Sequence, residues 1–355
     1  MAEDVGRHQP TGRFSIVRLP RHWYVACLST ELDTTPIGRI VLGLRLALFR
    51  GRDGRAVAVL DRCPHRNMPL SLGTVRAGEL ECRYHGWRFD DDGLCVAVPG
   101  LTDDGVDKPA RRVETFPILE RDGFVWVVPT HDPPVGDAPL ALPNVDDAGY
   151  STVRRSLTVD ATLHAALENT LDVPHTAYLH RGLFRGGRDP VPIEVTVRHA
   201  DDRVEAVFVG EPRPEGAAAR LLAPEGGEVE HVDRFILPSI AQVEYRLGDN
   251  HLVITTAYTP IGDFETALHA AVTFRSRLPA GLVRALVTPI AGYILRQDAW
   301  VLRHQTANIR RFGGEQFSST RIDLLGPHIL RLLRRAERGE PAAEPRREER
   351  LTIRL

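Results

Sequence analysis

Two short stretches, Cys63-Pro64-His65 and Cys82-Arg83-Tyr84-His85, constrain this chain more than any other feature, because each joins a thiol to an imidazole within one tight loop. A spacer of sixteen residues, 66–81, separates them. Two thiolates and two imidazoles offered in this way suit a [2Fe–2S] cluster in which one iron takes sulfur and the other nitrogen. The same residue types also satisfy tetrahedral zinc. Zinc fingers, however, pair Cys with Cys and His with His in their sequence halves, whereas here each half reads Cys then His.

A length of 355 residues exceeds what one hydrophobic core usually organises, so two domains are expected. Hydrophobic residues at 43% and charged residues at 26% are ordinary for a globular enzyme, and the net charge of -2 gives no basic footprint for nucleic acid. The longest apolar run, Gly281 to Leu295, is interrupted by Arg284 and Pro289, so no membrane span is expected. The polar start, with Glu3 and Asp4, lacks a secretory h-region, and the expected location is cytoplasmic.

Short β-prone runs punctuated by glycine (Trp23 to Val25, Leu44 to Phe49, Ala56 to Leu60, Phe124 to Val128) predict a small antiparallel β domain over 14–130. Proline and aspartate crowd 131–147, which reads as a linker. A helical stretch at Ala161 to Leu171, six strand candidates between Val191 and Arg275, and a long helical pattern from Gly281 to Ile309 predict an α+β domain over 148–333. In it a curved antiparallel sheet grips a long helix and encloses a pocket. The Arg-, Glu- and Pro-rich segment 334–355 reads as a mobile charged tail.

A second constellation lies in Glu168-Asn169-Thr170-Leu171-Asp172-Val173-Pro174-His175-Thr176-Ala177-Tyr178-Leu179-His180. Two neutral imidazoles and one carboxylate on one side of Fe(II) leave positions open for dioxygen. On an ideal helix His175 and His180 would point about 140° apart, so the helix must end or distort for both to reach one metal. Pro174 supplies such a break. The third ligand is expected to be Asp298, which shares a helical face with Ile294, Leu295, Val301, Leu302 and Gln305 and needs a partner in that apolar stripe. The plainer alternative is an ion pair with Arg296 or Arg303. Asp323 and Glu315 are the weaker substitutes as ligands.

The string CPHRNMPLSLG…CRYHGWRFDDDG, with Arg66, Pro69, Leu70, Gly73, Tyr84, Gly86, Trp87, Phe89, Gly93 and Cys95 around the ligand positions, resembles the Rieske-type non-haem iron oxygenases. The 168–180 string resembles the same family, whose members of this length include the dicamba, vanillate and ketosteroid oxygenases. Respiratory Rieske proteins resemble the loop pair too, but they carry an inter-loop disulfide and a membrane anchor. Here Met68 and Tyr84 stand in that neighbourhood, and Cys27 and Cys95 read as buried small hydrophobes.

The resemblance implies a Rieske [2Fe–2S] domain followed by a helix-grip (START-like) catalytic domain. It assigns Cys63, His65, Cys82 and His85 to the cluster, and His175, His180 and Asp298 to a mononuclear Fe(II). Asp172 becomes a bridge from His175 to His85 of a neighbouring subunit in a homotrimer. A ferredoxin or NAD(P)H-dependent reductase would supply electrons, and O2 would be used to hydroxylate, demethylate or desaturate a bulky hydrophobic substrate. Beside the cluster loops, Arg62, Arg66 and Arg83 suit the steering of an acidic ferredoxin, with a plain solvated arginine surface as the alternative reading. Pocket walls are expected around Phe235, Ile236, Val243, Tyr245, Ile254 and Tyr258. The rival readings are a pure electron-transfer protein and a helix-grip ligand-binding module without turnover.

Overall fold

The computed structural model describes residues 13–102, 105–145, 147–181, 191–211, 229–276, 280–341 and 347–354. The chain divides into two units. One is Leu19–Ala141 with Thr259–Gly262; the other is Met1–Arg18, Leu142–Tyr258 and Asp263–Leu355. The passage from Ala141 to Leu142 falls inside the Pro- and Asp-rich 131–147 segment. Phe14 was expected to open the β domain, but the residues up to Arg18 group with the second unit. The reason is hydrogen bonding: the Ser15 backbone amide and hydroxyl donate to Glu315 Oε1 (2.9 and 2.7 Å), and Arg334 donates to the Phe14 carbonyl (2.7 Å).

Among its described residues the first unit holds ten strands: β1 (Tyr24–Leu28), β2 (Ile37–Val41), β3 (Leu44–Arg50), β4 (Ala56–Leu60), β5 (Thr74–Arg76), β6 (Glu79–Glu81), β7 (Arg88–Phe89), β8 (Cys95–Ala97), β9 (Ile118–Arg121) and β10 (Phe124–Val127). They form three antiparallel sheets, β1-β10-β9, β2-β3-β4 and β5-β6-β7-β8. In β3, Leu46, Ala47, Leu48 and Phe49 are all fully buried, because alternate side chains of a strand enter opposite faces. Leu46 and Leu48 pack with Tyr24, Cys27, Val125 and Val127. Ala47 and Phe49 pack with Leu70, Leu80, Phe89 and the two loop cysteines, Cys63 and Cys82. Thus β3 ties the general core to the seat of the Cys–His loops.

The second unit contains β11 (Ser151–Val159), α1 (Leu163–Leu171), β12 (Pro192–His199), β13 (Arg203–Val209), β14 (Val229–Ile236), β15 (Ile240–Leu247), β16 (Asn250–Gly262, less its last four residues), β17 (Glu265–Arg275), α2 (Ala280–Arg311), α3 (Gly326–Glu337) and β18 (Glu348–Arg354). One antiparallel sheet of eight strands runs β11-β17-β16-β15-β14-β13-β12-β18. Thr162 caps α1 by accepting the Ala165 amide at its hydroxyl (3.2 Å). One sheet face carries Phe208, His231 and Tyr245 side by side and, further along, Phe235 and Ala241. Tyr258 on β16 reaches α1, where its hydroxyl meets that of Thr170. That face is the one the helices cover.

The expected mobile tail, 334–355, does not hold as such. Residues up to Glu337 complete α3, and Glu348–Arg354 adds an edge strand to β12, with Ile193 opposite Ile353 and Val195 opposite Leu351. Two apolar residues at period two, of which Ile353 is fully buried, suffice to dock a run that is otherwise charged. Its exposed charges, including Glu348 paired with Arg198 (3.4 Å), blunt the sheet edge.

Candidate functional site

The two Cys–His loops are built alike. The Cys63 amide donates to the Met68 carbonyl (2.9 Å) and the Cys82 amide to the Trp87 carbonyl (2.8 Å). The Asn67 amide donates back to Cys63 and the Gly86 amide back to Cys82, both at 2.9 Å. Asn67 and Gly86 therefore occupy the same place in each loop, and both have positive φ (59° and 70°), the conformation Gly and Asn tolerate best. Each loop thereby presents a buried thiol and a more exposed imidazole. Cys63 and Cys82 are 1% and 2% exposed, while the His65 and His85 rings meet at 4.5 Å between centroids.

Burial and the facing Cys82 thiol push the Cys63 thiol up to about 11, against the pull of the His65 and Arg66 backbone amides aimed at its sulfur. Partial burial and the facing His85 disfavour the imidazolium of His65, as a neutral ligand requires. His65 Nδ1 is buried without a hydrogen-bond partner, and its ring stacks on Trp87 (4.7 Å, 3°). All four cysteines are free thiols, with Cys27 and Cys95 buried as expected. Two facing thiols and two facing imidazoles, one with an orphaned nitrogen, fit a mixed-ligand [2Fe–2S] cluster.

The second site begins where α1 stops. Asp172 takes an extended conformation (φ -95°, ψ 98°), and Pro174 opens a short 3-10 turn, Pro174–Ala177, carrying His175. This break lets His175 and His180 converge, with ring centroids 5.0 Å apart. Their Nε2 atoms are 3.2 Å apart, and Asp298 Oδ1 on α2 lies 3.1 Å from His180 Nε2 and 3.6 Å from His175 Nε2. These three atoms form the compact His–His–carboxylate group among the described residues. Ligands bound at about 2.1 Å around one ion stand roughly 3.0–3.4 Å apart, so the spacing is that of a shared metal.

The protons say the same. His175 Nδ1 donates to the Asp172 carbonyl, and His180 Nδ1 donates to Gln297 Oε1 (2.9 Å). A carbonyl oxygen only accepts, so with each Nδ1 donating it is Nε2 whose lone pair becomes available to a metal that displaces any proton there. Two lone pairs and a carboxylate oxygen then face one point, and Asp298 Oδ1 is buried there without a hydrogen bond. Such an arrangement calls for a cation. Burial works against the His175 imidazolium, yet the Asp172 and Asp298 carboxylates outweigh it and hold its pKa up, at about 9. Burial likewise works against the Asp298 carboxylate, but His175 and His180 hold it below the usual range.

Asp172 Oδ2 lies 3.5 Å from His175 Nδ1, and its side chain borders an open cavity of about 410 Å³ shared with Glu168, Gln305, Phe317 and Asp323. Burial, with repulsion from Asp172, Asp323 and Glu315, pushes the Glu168 carboxyl up. The substitutes considered for Asp298 are engaged elsewhere: Glu315 holds Ser15, and Asp323 accepts from Thr320. Of the expected pocket residues, Phe235, Ile236 and Tyr258 are buried, and Val243, Tyr245 and Ile254 are half-buried.

Sequence reasoning missed Gln297 and also a wholly buried group on the helix-covered sheet face. There His231 sits between Glu211 (2.7 Å) and Asp233 (2.9 Å) and stacks between Phe208 and Tyr245. Neither carried a sequence signal, since both depend on partners from distant segments.

Comparison with known proteins agrees with this architecture. Residues 22–117 match the Rieske [2Fe–2S] domain, and residues 159–339 match the vanillate O-demethylase oxygenase C-terminal domain. The chain is 41% identical over 162 residues to the oxygenase component of dicamba O-demethylase from Stenotrophomonas maltophilia. That stretch covers 45% of this chain and 47% of the relative, so the chain spans about half the length of that relative. It is 29% identical over 350 residues to the oxygenase component of chloroacetanilide N-alkylformylase from Rhizorhabdus wittichii, covering 92% of this chain and 97% of the other.

The crystal structure of dicamba monooxygenase bound to 3,6-dichlorosalicylic acid shares the fold with a TM-score of 0.77 and 24% identity, over 91% of this chain and 98% of that one. The match to the C-terminal domain alone takes in 181 of 355 residues, and with the Rieske match ahead of it the chain belongs to the Rieske oxygenases of the vanillate O-demethylase type.

Proposed function

We propose that this protein is an oxygenase that uses O2 and externally supplied electrons to hydroxylate, demethylate or desaturate a bulky hydrophobic molecule. The observation that carries the proposal is the convergence of His175 Nε2, His180 Nε2 and Asp298 Oδ1 within 3.1–3.6 Å of one another. These three residues are the ligands for a mononuclear iron, and Cys63, His65, Cys82 and His85 are the ligands for the cluster. When bound, Fe(II) held by one facial triad offers open positions to dioxygen, and a [2Fe–2S] cluster supplies single electrons.

The residues of the chain do the rest. Asp172 orients His175 through its carbonyl and carboxylate and lines the cavity beside it. His85 is exposed, as is Tyr84 at 61%, and a homotrimer in which His85 of one subunit reaches Asp172 of the next uses both. Arg62, Arg66 and Arg83 are exposed and have no carboxylate partner among the described residues, which suits an acidic ferredoxin or reductase domain as electron donor.

For the substrate, both relatives bear names of dealkylating oxygenases, which favours removal of an alkyl group from oxygen or nitrogen. The half-buried Val243, Tyr245 and Ile254 on the helix-covered sheet face favour an apolar body. Free cysteines, and the lack among the described residues of a helix long and apolar enough to cross a membrane, are consistent with a cytoplasmic setting.

The test is metal and sulfide analysis joined to oxygen uptake on a panel of aryl ethers and N-alkyl anilides. The expected result is iron to acid-labile sulfide at about 3:2 and substrate-dependent uptake. A ratio near 1:1 with no uptake would leave only an electron carrier.

A further inference from the structure

The two imidazoles of the triad are supported differently. His175 Nδ1 is held by the Asp172 carbonyl with the Asp172 carboxylate at 3.5 Å, a supply of negative charge. His180 Nδ1 is held by a neutral side chain, the Gln297 amide, at 2.9 Å. The amide is engaged at both ends. Its Oε1 accepts from His180, while its Nε2 donates to the hydroxyl of Tyr293 (3.3 Å), one helical turn earlier on α2. Reversed, it would offer an N–H to His180 Nδ1, which suits the other tautomer, with its lone pair at Nδ1 and its proton facing the triad. One turn of α2 therefore supplies both a ligand, Asp298, and the support for a second ligand carried on a different segment. His180 is 2% exposed, so water does not easily replace a lost acceptor.

We infer that Gln297 is a positioning residue for the mononuclear metal: it fixes His180 in the tautomer whose Nε2 lone pair faces the triad and holds the ring at the angle that directs this lone pair to the common point. The inference rests on the metal-binding reading above and names a residue that reading does not need. Its physical basis is general. A ligating imidazole donates its other N–H to an acceptor, and losing that acceptor typically weakens metal binding by roughly 10–100-fold. Because Gln297 touches neither metal nor reactants, its effect reaches the site only through His180.

The test is titration of the cluster-loaded, metal-stripped protein with Fe(II), and with Co(II) as a spectroscopic probe, in wild type and in Gln297→Leu, Gln297→Glu, Tyr293→Phe and His180→Ala. Gln297→Leu keeps the volume and removes the acceptor. Its affinity should fall by roughly 10–100-fold, with altered Co(II) visible bands, while the cluster absorption and the melting temperature stay near wild type. Gln297→Glu keeps an acceptor and should recover affinity to within a few-fold of wild type. Tyr293→Phe, which only loosens the amide, should fall between these two.

Wild-type affinity and unchanged Co(II) bands in Gln297→Leu would overturn the inference, as would equal losses in the Leu and Glu variants. Should Gln297→Leu not fold, failed recovery in Gln297→Glu overturns it alone. The two levels separate cleanly: if wild type takes up metal and His180→Ala does not, the site stands whatever Gln297 does. If wild type takes up none, both readings fall.

Discussion

The paired Cys–His loops and the His–His–Asp triad both turn imidazoles toward a common point, yet they are assembled in opposite ways. The loops are local: each closes its own hydrogen bonds within five residues, from Cys63 to Met68 and from Cys82 to Trp87. They then sit on a shared core that includes Phe49, Leu70 and Leu80. The triad is long-range. It needs α1 to stop at Leu171, the 3-10 turn at Pro174 to redirect His175, and α2 to bring Asp298 from the far end of the domain. Exposure divides along the same line. The loops leave His85 and Tyr84 in the open, whereas His180 is almost wholly enclosed.

The comparison breaks most sharply in a pair of mirror-image variants. Asp298→Ala should lose the mononuclear iron and take substrate-dependent oxygen uptake to background, with the visible cluster spectrum intact. Cys82→Ser should lose the cluster spectrum while the triad still titrates with Fe(II). Loss of both metals in either variant, measured by iron analysis and absorbance, would mean that the sites are not independently built.

A smaller effect tests the seat of the loops. Phe49 is fully buried beside Cys63 and Cys82, so Phe49→Ala should cost about 3–5 kcal/mol in denaturant unfolding and lower cluster occupancy. Triad affinity for Fe(II) should change little in the folded fraction. Asp172→Asn sharpens the link between the two regions. Both metals should remain, because the Asp172 carbonyl still holds His175, and single-turnover cluster oxidation should slow by roughly 10–100-fold. An unchanged rate would remove Asp172 from the relay.

The smallest expected effect is at the rim. Arg66→Glu with Arg83→Glu should slow reduction by an acidic donor by about tenfold at low salt and flatten its dependence on ionic strength. A rate indifferent to both substitutions would place donor docking elsewhere.

The same contrast explains what could be read from residues alone. The α+β class, the β domain ahead of a gripped helix and the loop pair were legible because period-two runs and local turns write themselves into short windows. That a helix must end or distort for His175 and His180 to reach one metal followed from helical geometry, with Pro174 as the break; α1 in fact ends earlier, at Leu171, and His175 rides on the turn that Pro174 opens. The placing of Asp298 beside the two histidines on the strength of an apolar helix face was legible for a different reason: a lone carboxylate in such a stripe must meet something.

Gln297 was not legible, because an amide on a mixed helix face is unremarkable until His180 is known to lie beside it. The His231 group was hidden for the same reason, with Glu211 and His231 coming from separate stretches of chain. The strand at 348–354 was missed because its charges are dense and only Leu351 and Ile353 carry the alternation. The long helical pattern expected from Gly281 to Ile309 is met by α2, which runs from Ala280 to Arg311 through Pro289.

The central claim is that two separate iron environments share one chain, and iron-edge anomalous diffraction from crystals of the aerobically purified protein tests it most directly. The account predicts two anomalous peaks per chain: an elongated one between Cys63, His65, Cys82 and His85, and a single-atom one bounded by His175, His180 and Asp298. A map with strong density at the loops and none at the triad, after reconstitution with Fe(II), would contradict it.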